Sequence, residues 1–240
     1  YIKSEHNKVE FFAKQEEAIN AASADENGAI LVWKAKEKQG LQAKAKHLPI
    51  YYMEDGFIRS AGLGSDLIAA NSLIIDKVGI HFDCSKASDL ENILNNFAAS
   101  PEKLERAQKL MQQVIANSIS KYNLGGSAEI DLPENKKKIL AIGQVESDAS
   151  IKFGAVDIKT NAELLAAIKA SNPDAFIIYK PHPEVVSGNR KGKLIEKDAD
   201  LIVTDIALHS LFNKIDEVHV ITSLAGFEAL LHNKKVVCYG

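Results

Sequence analysis

The chain has 240 residues, 46% hydrophobic and 25% charged, with a net charge of −3, enough to bury one large core or two small ones. That balance gives no reason to expect nucleic acid as a partner. Two cysteines, Cys84 and Cys238, exclude a disulfide framework and fit a reducing, cytoplasmic setting, and no apolar run reaches the roughly 18 residues of a membrane span. The first residue is Tyr1 rather than Met, so a missing N-terminal segment is expected.

Residues 8–22, with Val9, Phe11, Phe12 and Ile19 among Lys, Glu and Gln, read as an amphipathic helix. Residues 29–33 are a continuous apolar run of the kind a buried parallel strand carries. A lysine-rich stretch at 36–47 then leads through Pro49 to a second strand starting at Ile50. Strand, crossover and strand make a βαβ unit. Residues 72–76 and 79–83 are short strand-like runs separated by Lys77 and Val78, which predicts a hairpin. Ser88, with Glu91 three residues on, has the form of a capping box for a helix to Phe97. Pro101 opens a longer helix over 101–120.

Residues 123–137 carry Gly, Pro and charge without periodicity and read as a linker. The expected domains are therefore 1–122 and 138–240. Beyond the linker, strands at 139–142, 175–180, 201–203, 217–222 and 235–239 alternate with helices at 161–171, 207–215 and 223–232. That rhythm is the pattern of a parallel, doubly wound sheet. The predicted fold is α/β, with two Rossmann-like domains and a cleft between them.

In open α/β sheets ligands sit outside the carboxyl ends of the strands, and four loops there carry polar residues. Glu54, Asp55 and Gly56 end one strand and lead to Arg59 in a glycine-rich loop; the same residues alone also read as a solvated turn. The loop from Gln144 to Ser150 contains Glu146 and Asp148. Pro181 and Pro183 restrict His182 beside Lys180, a point charge suited to carboxylate or phosphate. Thr222 and Ser223 precede a helix with Gly226 in its first turn. That is either an ordinary N-cap or an anion site on free backbone N–H groups.

No G-x-G-x-x-G is present, so a nicotinamide-type dinucleotide is not indicated, and no cluster has metal-ligand spacing. Asp198 and Asp200 read as a solvated loop. Arg190, Lys191 and Lys193 read as a surface loop close enough to the His182 loop to touch an anion. If Glu54 and Asp148 meet, two carboxylates supply what glycosyl transfer through an oxocarbenium-like state requires.

As a set, six segments resemble the bacterial retaining β-Kdo glycosyltransferases of capsule and lipopolysaccharide synthesis, the KpsC and WbbB type. They are Glu54-Asp-Gly-Phe-Ile-Arg-Ser-Ala-Gly-Leu-Gly-Ser65, Gly79-Ile-His-Phe-Asp83, Ser120-Lys-Tyr-Asn-Leu-Gly125, Gln144-x-x-x-Asp148-x-Ser150, Lys180-Pro-His-Pro183 and Thr222-Ser-Leu-Ala-Gly-Phe-Glu-Ala-Leu230. The acid-acid-Gly, His-Pro and Ser patterns are also similar to those of bacterial sialyltransferases.

The resemblance implies a GT-B-like arrangement, CMP-β-Kdo as donor, a glycan or glycolipid acceptor, and no metal or other cofactor. It implies Asp148 as nucleophile and Glu54 as acid/base. His182 and Ser223, with Thr222 and Gly226, would receive the CMP phosphate, and Glu228 the ribose or base. Lys180 and Arg59 would balance negative charge, and Asp55, Gln144 and Ser150 complete the implied donor site. A cytoplasmic enzyme associated with the inner membrane face or with other polysaccharide-synthesis enzymes is a further implication. Members of this group continue past a segment like Val236–Gly240, and the stretch before Ala29 is short for a full Rossmann half. Both domains are therefore expected to be incomplete. An inverting CMP-sialic-acid-type transferase and a nucleotide-binding module without turnover stay open.

Overall fold

A computed structural model describes residues 4–127, 129–190 and 198–240. The backbone forms, in order, α1 (Gln15–Ser23), β1 (Ile30–Trp33), α2 (Leu41–Lys44), β2 (Ile50–Asp55), β3 (Leu73–Asp76), α3 (Asp89–Asn96), α4 (Pro101–Ala116) and β4 (Lys138–Ile142). It continues with α5 (Ala149–Gly154), α6 (Asn161–Ser171), β5 (Phe176–Lys180), α7 (Pro183–Val186), β6 (Leu201–Ile202), α8 (Leu208–Phe212), β7 (Glu217–Val220), α9 (Ala225–Leu231) and β8 (Lys235–Cys238). Among the described residues no helix is long and apolar enough to cross a membrane.

The chain divides into two compact units, residues 1–56 with 71–97, and residues 57–70 with 98–240. Residues 57–70 and 98–122, assigned above to the N-terminal domain, thus group with the C-terminal sheet. So does much of the expected linker: Ile130 and Leu132 pack on that sheet's core, and Gly126 forms a bridge with Ile206.

In the N-terminal unit β1 and β2 run parallel, with Ile30 opposite Ile50, and β3 joins β2 antiparallel, with Asp76 opposite Tyr52. Ile19, Ile30, Leu41 and Ala45 form its small core. This sheet is α/β but has only three strands, one of them antiparallel. A second doubly wound parallel sheet, as predicted, is not what the described residues form. The expected hairpin over 72–83 is also corrected. The carboxylate of Asp76 accepts the backbone N–H groups of Val78 and Gly79 (2.8 Å each) and of Asp89 (2.7 Å). Those amides are satisfied by a side chain instead of a partner strand, which ends the sheet there. Residues 80–83 form a turn closed by the Asp83 N–H on the Ile80 carbonyl at 2.9 Å. The first helix starts at Gln15, not at residue 8.

The C-terminal unit carries a five-stranded parallel sheet in the order β6-β5-β4-β7-β8. Numbered along the chain, those strands run 3-2-1-4-5, the Rossmann order. Side chains alternate between its faces. Leu140 and Ile142 of β4 join Ile178, Val218, Val220 and the α8 residues Leu211 and Phe212 on one face. Ile139 and Ala141 join Ile177, Tyr179 and the α6 residues Leu164, Leu165 and Ile168 on the other. Both faces are covered, which is why these strands read as unbroken apolar runs. Helix α6 is fixed by a capping box: Thr160 Oγ1 accepts Glu163 N–H, and the Glu163 carboxylate accepts Thr160 N–H at 2.9 Å.

Candidate active site at the switch point of the parallel sheet

Strand order reverses at β4, whose neighbours β5 and β7 are reached in opposite directions, and ligands bind outside the carboxyl ends of strands at such a point. The loops leaving β4 and β7 meet there. Gln144, buried, donates from Nε2 to Thr222 Oγ1 (2.9 Å) and accepts Thr222 N–H at Oε1 (2.8 Å). One side-chain amide therefore closes the crevice with two reciprocal bonds. Gln144 is itself anchored: its N–H donates to Asn161 Oδ1 (2.8 Å), and Asn161 Nδ2 donates back to its carbonyl (2.9 Å). Asn161 also donates from its N–H to Glu146 Oε1 at 2.9 Å.

The network continues to Asp148. Thr222 Oγ1 donates to Ser150 Oγ (3.2 Å), and Ser150 donates to Asp148 Oδ1 from both its N–H (2.9 Å) and its hydroxyl (3.0 Å). Asp148 is thereby the N-cap of α5, with one carboxylate oxygen held by two bonds. Its other oxygen, Oδ2, accepts no hydrogen bond among the described residues. A carboxylate fixed on one side and open on the other is the arrangement a positioned nucleophile needs.

His182 follows β5. Its Nδ1 accepts the N–H of Glu184 at 3.2 Å, so a neutral ring carries its proton on Nε2. Burial keeps the imidazole below the usual histidine range. The charges of Glu184 and Asp148 pull the other way, while Lys121 and Arg190 act with burial. The Tyr122 ring stands edge-on at 6.3 Å. His182 is thus a neutral donor held near the Asp148 charge.

Lys180 Nζ donates to the carbonyls of Ile206 (2.6 Å) and Thr204 (3.2 Å). Burial lowers its pKa, partly offset by Asp205. It binds the loop after β6 and keeps one ammonium proton for another partner. Arg59, buried, donates from Nη1 to Ser60 Oγ (2.9 Å) and to the carbonyl of Ile68 (2.8 Å), holding the loop 57–70 in shape. Glu228 Oε1 accepts the N–H of Lys121 at 2.7 Å. Burial pushes this carboxyl up to about 7 against the opposing effect of Lys121.

Ser223 does not cap α9. Leu224 occupies the cap position, and among the described residues Ser223 Oγ accepts only the Ala225 N–H, at 3.3 Å. Gly226 is a packing glycine: a Cβ there would stand 3.1 Å from Val220 Cγ2 and 3.3 Å from Val236 Cγ1. Asp200 is not simply solvated, since its carboxylate accepts Ile177 N–H at 2.8 Å. Arg190 lies 3.5 Å from the Glu184 carboxylate; Lys191 and Lys193 lie outside the described residues. Glu54 and Asp55 end β2 in the N-terminal unit, where Glu54 Oε1 accepts the N–H of Asp55 at 3.0 Å. Among the described residues no three His, Cys, Asp or Glu side chains group as a metal site.

The structure therefore gathers Gln144, Asp148, Ser150 and Thr222 into one network, with His182 electrostatically coupled to Asp148. Asn161 is no candidate in the sequence, and Tyr122 enters there only as part of the segment 120–125. Asn161 opens the helix expected over 161–171, and the turn of its side chain toward Gln144 carries no local signature.

Residues 28–240 match the family described as "Capsule polysaccharide biosynthesis protein". The chain is 42% identical over 234 residues to the capsule polysaccharide modification protein LipA of Neisseria meningitidis serogroup B, covering 95% of this chain and 33% of LipA. It is 39% identical over 201 residues to the lipopolysaccharide-processing protein LpsZ of Rhizobium meliloti, covering 80% of this chain and 46% of that protein. The chain thus spans a third to under half of these relatives. Two solved structures from Thermosulfurimonas dismutans are similar. KpsC described as a β Kdo 2,4 transferase matches with TM-score 0.78 and 32% identity, over 88% of this chain and 68% of that one. KpsC described as a β Kdo 2,7 transferase matches with TM-score 0.75 and 36% identity, over 95% and 70%.

Proposed function

Given that this chain belongs to the capsule polysaccharide biosynthesis protein family, we propose that it transfers Kdo from CMP-β-Kdo to a glycan or glycolipid with retention, through a covalent adduct on Asp148. The likeness to two Kdo transferases supports the sugar. The observation that carries the mechanism is the Asp148 carboxylate, held at Oδ1 by Ser150 and open at Oδ2. The same reading takes the enzyme as GT-B-like and cytoplasmic and assigns no step to a metal.

In the first step Asp148 Oδ2 attacks the anomeric carbon. The bond to the CMP oxygen breaks, and its electron pair leaves on the phosphate. His182, donating from Nε2, stabilises that charge, with the Ser223 hydroxyl and the Lys180 ammonium beside it, while Thr222, whose N–H and hydroxyl are both engaged, holds the loops in place. In the second step Glu54 takes the proton of the acceptor hydroxyl as its oxygen attacks the same carbon and displaces Asp148. Two inversions restore the starting configuration. Glu228 accepts the ribose or base, and Gln144 holds the two loops that form the site.

Incubation with CMP-Kdo followed by mass spectrometry should show one Kdo mass on the peptide containing Asp148. Asp148→Ala should abolish both adduct and transfer while calorimetric CMP binding persists. Transfer at the normal rate by that variant would remove Asp148 from the mechanism. Inverted product stereochemistry by NMR would favour the sialyltransferase-type alternative, and CMP binding without product a non-catalytic module.

A further inference from the structure

The N-terminal unit contains a cleft of about 200 Å³ that the steps above leave unassigned. Gln42, Ala45, Ile50 and Tyr52 border it, and Lys46, Lys77 and Lys86 stand around it, so that its accessible wall is mainly polar. Among the described residues none of these three ammonium groups has a carboxylate within ion-pairing distance. Neighbouring Lys34 is different, with Nζ 2.8 Å from both Glu37 and Asp83.

The carboxylates around the cleft are otherwise engaged. Glu37 accepts the Tyr52 hydroxyl at 3.0 Å besides Lys34, and Asp89 accepts the backbone N–H of Lys77 at 3.1 Å. Lys86 Nζ lies 4.6 Å from the centre of the Tyr52 ring, a cation–π contact that holds its charge at the cleft. Three unmatched cations around one small cavity repel one another and attract an anion. The volume is below the roughly 300 Å³ of a drug-sized site, which suits a single charged group or one sugar-acid ring.

We infer that this cleft binds a phosphate or carboxylate carried by the acceptor. That the host molecule is an acceptor glycan or glycolipid rests on the transfer reading above; the anion site itself does not. The carboxylate of a sugar acid and the phosphate of a lipid-linked glycan share the chemistry and are separable by probe.

The test follows backbone amide shifts of the 240-residue chain during separate titrations with inorganic phosphate, free Kdo and a neutral hexose. Shifts at Lys46, Lys77 and Lys86 with an anion, and none with the hexose, are expected. Response to phosphate alone assigns a phosphorylated acceptor, to Kdo alone a sugar acid, and to both a general anion site. The variant K46Q/K77Q/K86Q should bind the effective anion about tenfold more weakly or worse. Its CMP response at Ser150 and Thr222 should stay unchanged, and parent-like amide shifts at the N-terminal core residues Ile19, Ile30 and Leu41 certify the fold of the unit that carries the substitutions. No response to either anion, an equal response to the hexose, or unaltered anion binding by the triple variant would overturn the inference. Loss of the CMP response with the lysine response intact would instead defeat the transfer reading and leave the anion site standing.

Discussion

Glu228→Gln keeps the size of the side chain and the carbonyl that accepts the Lys121 N–H, and removes only the ability to ionise. Burial lifts the Glu228 carboxyl from 4.5 to about 7. Between those values the folded chain still holds the proton and the unfolded chain has released it. Stability therefore falls as pH rises through that window and is level above it. The interval, at about 1.36 kcal/mol per pH unit, sets a ceiling of roughly 3 kcal/mol. Partial exposure of the side chain brings the expected cost nearer about 1–2 kcal/mol. Urea denaturation at pH 5 and pH 8 measures it: the variant should be the more stable protein at pH 8 and close to the parent at pH 5. The same variant should bind CMP more weakly, because a group kept ionisable at the expense of the fold is expected to serve the ligand. Parallel stability profiles for the two proteins across that range would refute the claim that burial governs this carboxyl.

Glu217 should behave in the opposite sense. Burial would raise its carboxyl, but hydrogen bonds from Lys235, Lys137 and His219 outweigh it and leave the pKa at about 2. Its contribution is therefore present above 4.5 and lost as pH falls toward 2. Glu217→Gln should cost about 2 kcal/mol at pH 7, by urea unfolding, and a deficit that fails to shrink on acidification would contradict this. Gly143→Ala should cost about 1–3 kcal/mol, since the new Cβ would lie 2.5 Å from the Tyr179 hydroxyl. Adding Tyr179→Phe should recover part of the loss, and no recovery would place the clash elsewhere. Thr222→Val leaves Gln144 Nε2 without its acceptor and should cost about 1–2 kcal/mol, with lower yield of the Asp148 adduct by mass spectrometry. An unchanged midpoint would mean that the amide bridge contributes little.

The parallel sheet was legible because its strands are buried on both faces, so Ile139–Ile142 and Ile177–Tyr179 announce themselves as apolar runs. The N-terminal sheet was less so. Asp76 looks like a strand residue by position, yet its carboxylate takes three backbone amides and stops the ladder. Site loops could be found from strand ends, as Gln144, Asp148, His182 and Thr222 illustrate. Their pairings could not, because the bonds join residues far apart in sequence: 78 positions for Gln144 and Thr222, 107 for Lys121 and Glu228. Arg59 shows the complementary limit. An arginine in a glycine-rich loop reads the same whether it meets a ligand or, as here, carries the loop's own carbonyl of Ile68.

The backbone passes from one compact unit to the other three times, after residues 56, 70 and 97. A fragment begun at Lys138 would look like a natural excision of the five-stranded sheet, yet it would discard the amide that satisfies Glu228 and the Gly126 edge beside Ile206. Neither half can be liberated by a single cleavage. Proteolytic nicking in one crossover would leave the pieces tethered by the others, and dissection of this protein calls for circular permutation or paired cuts instead of simple truncation.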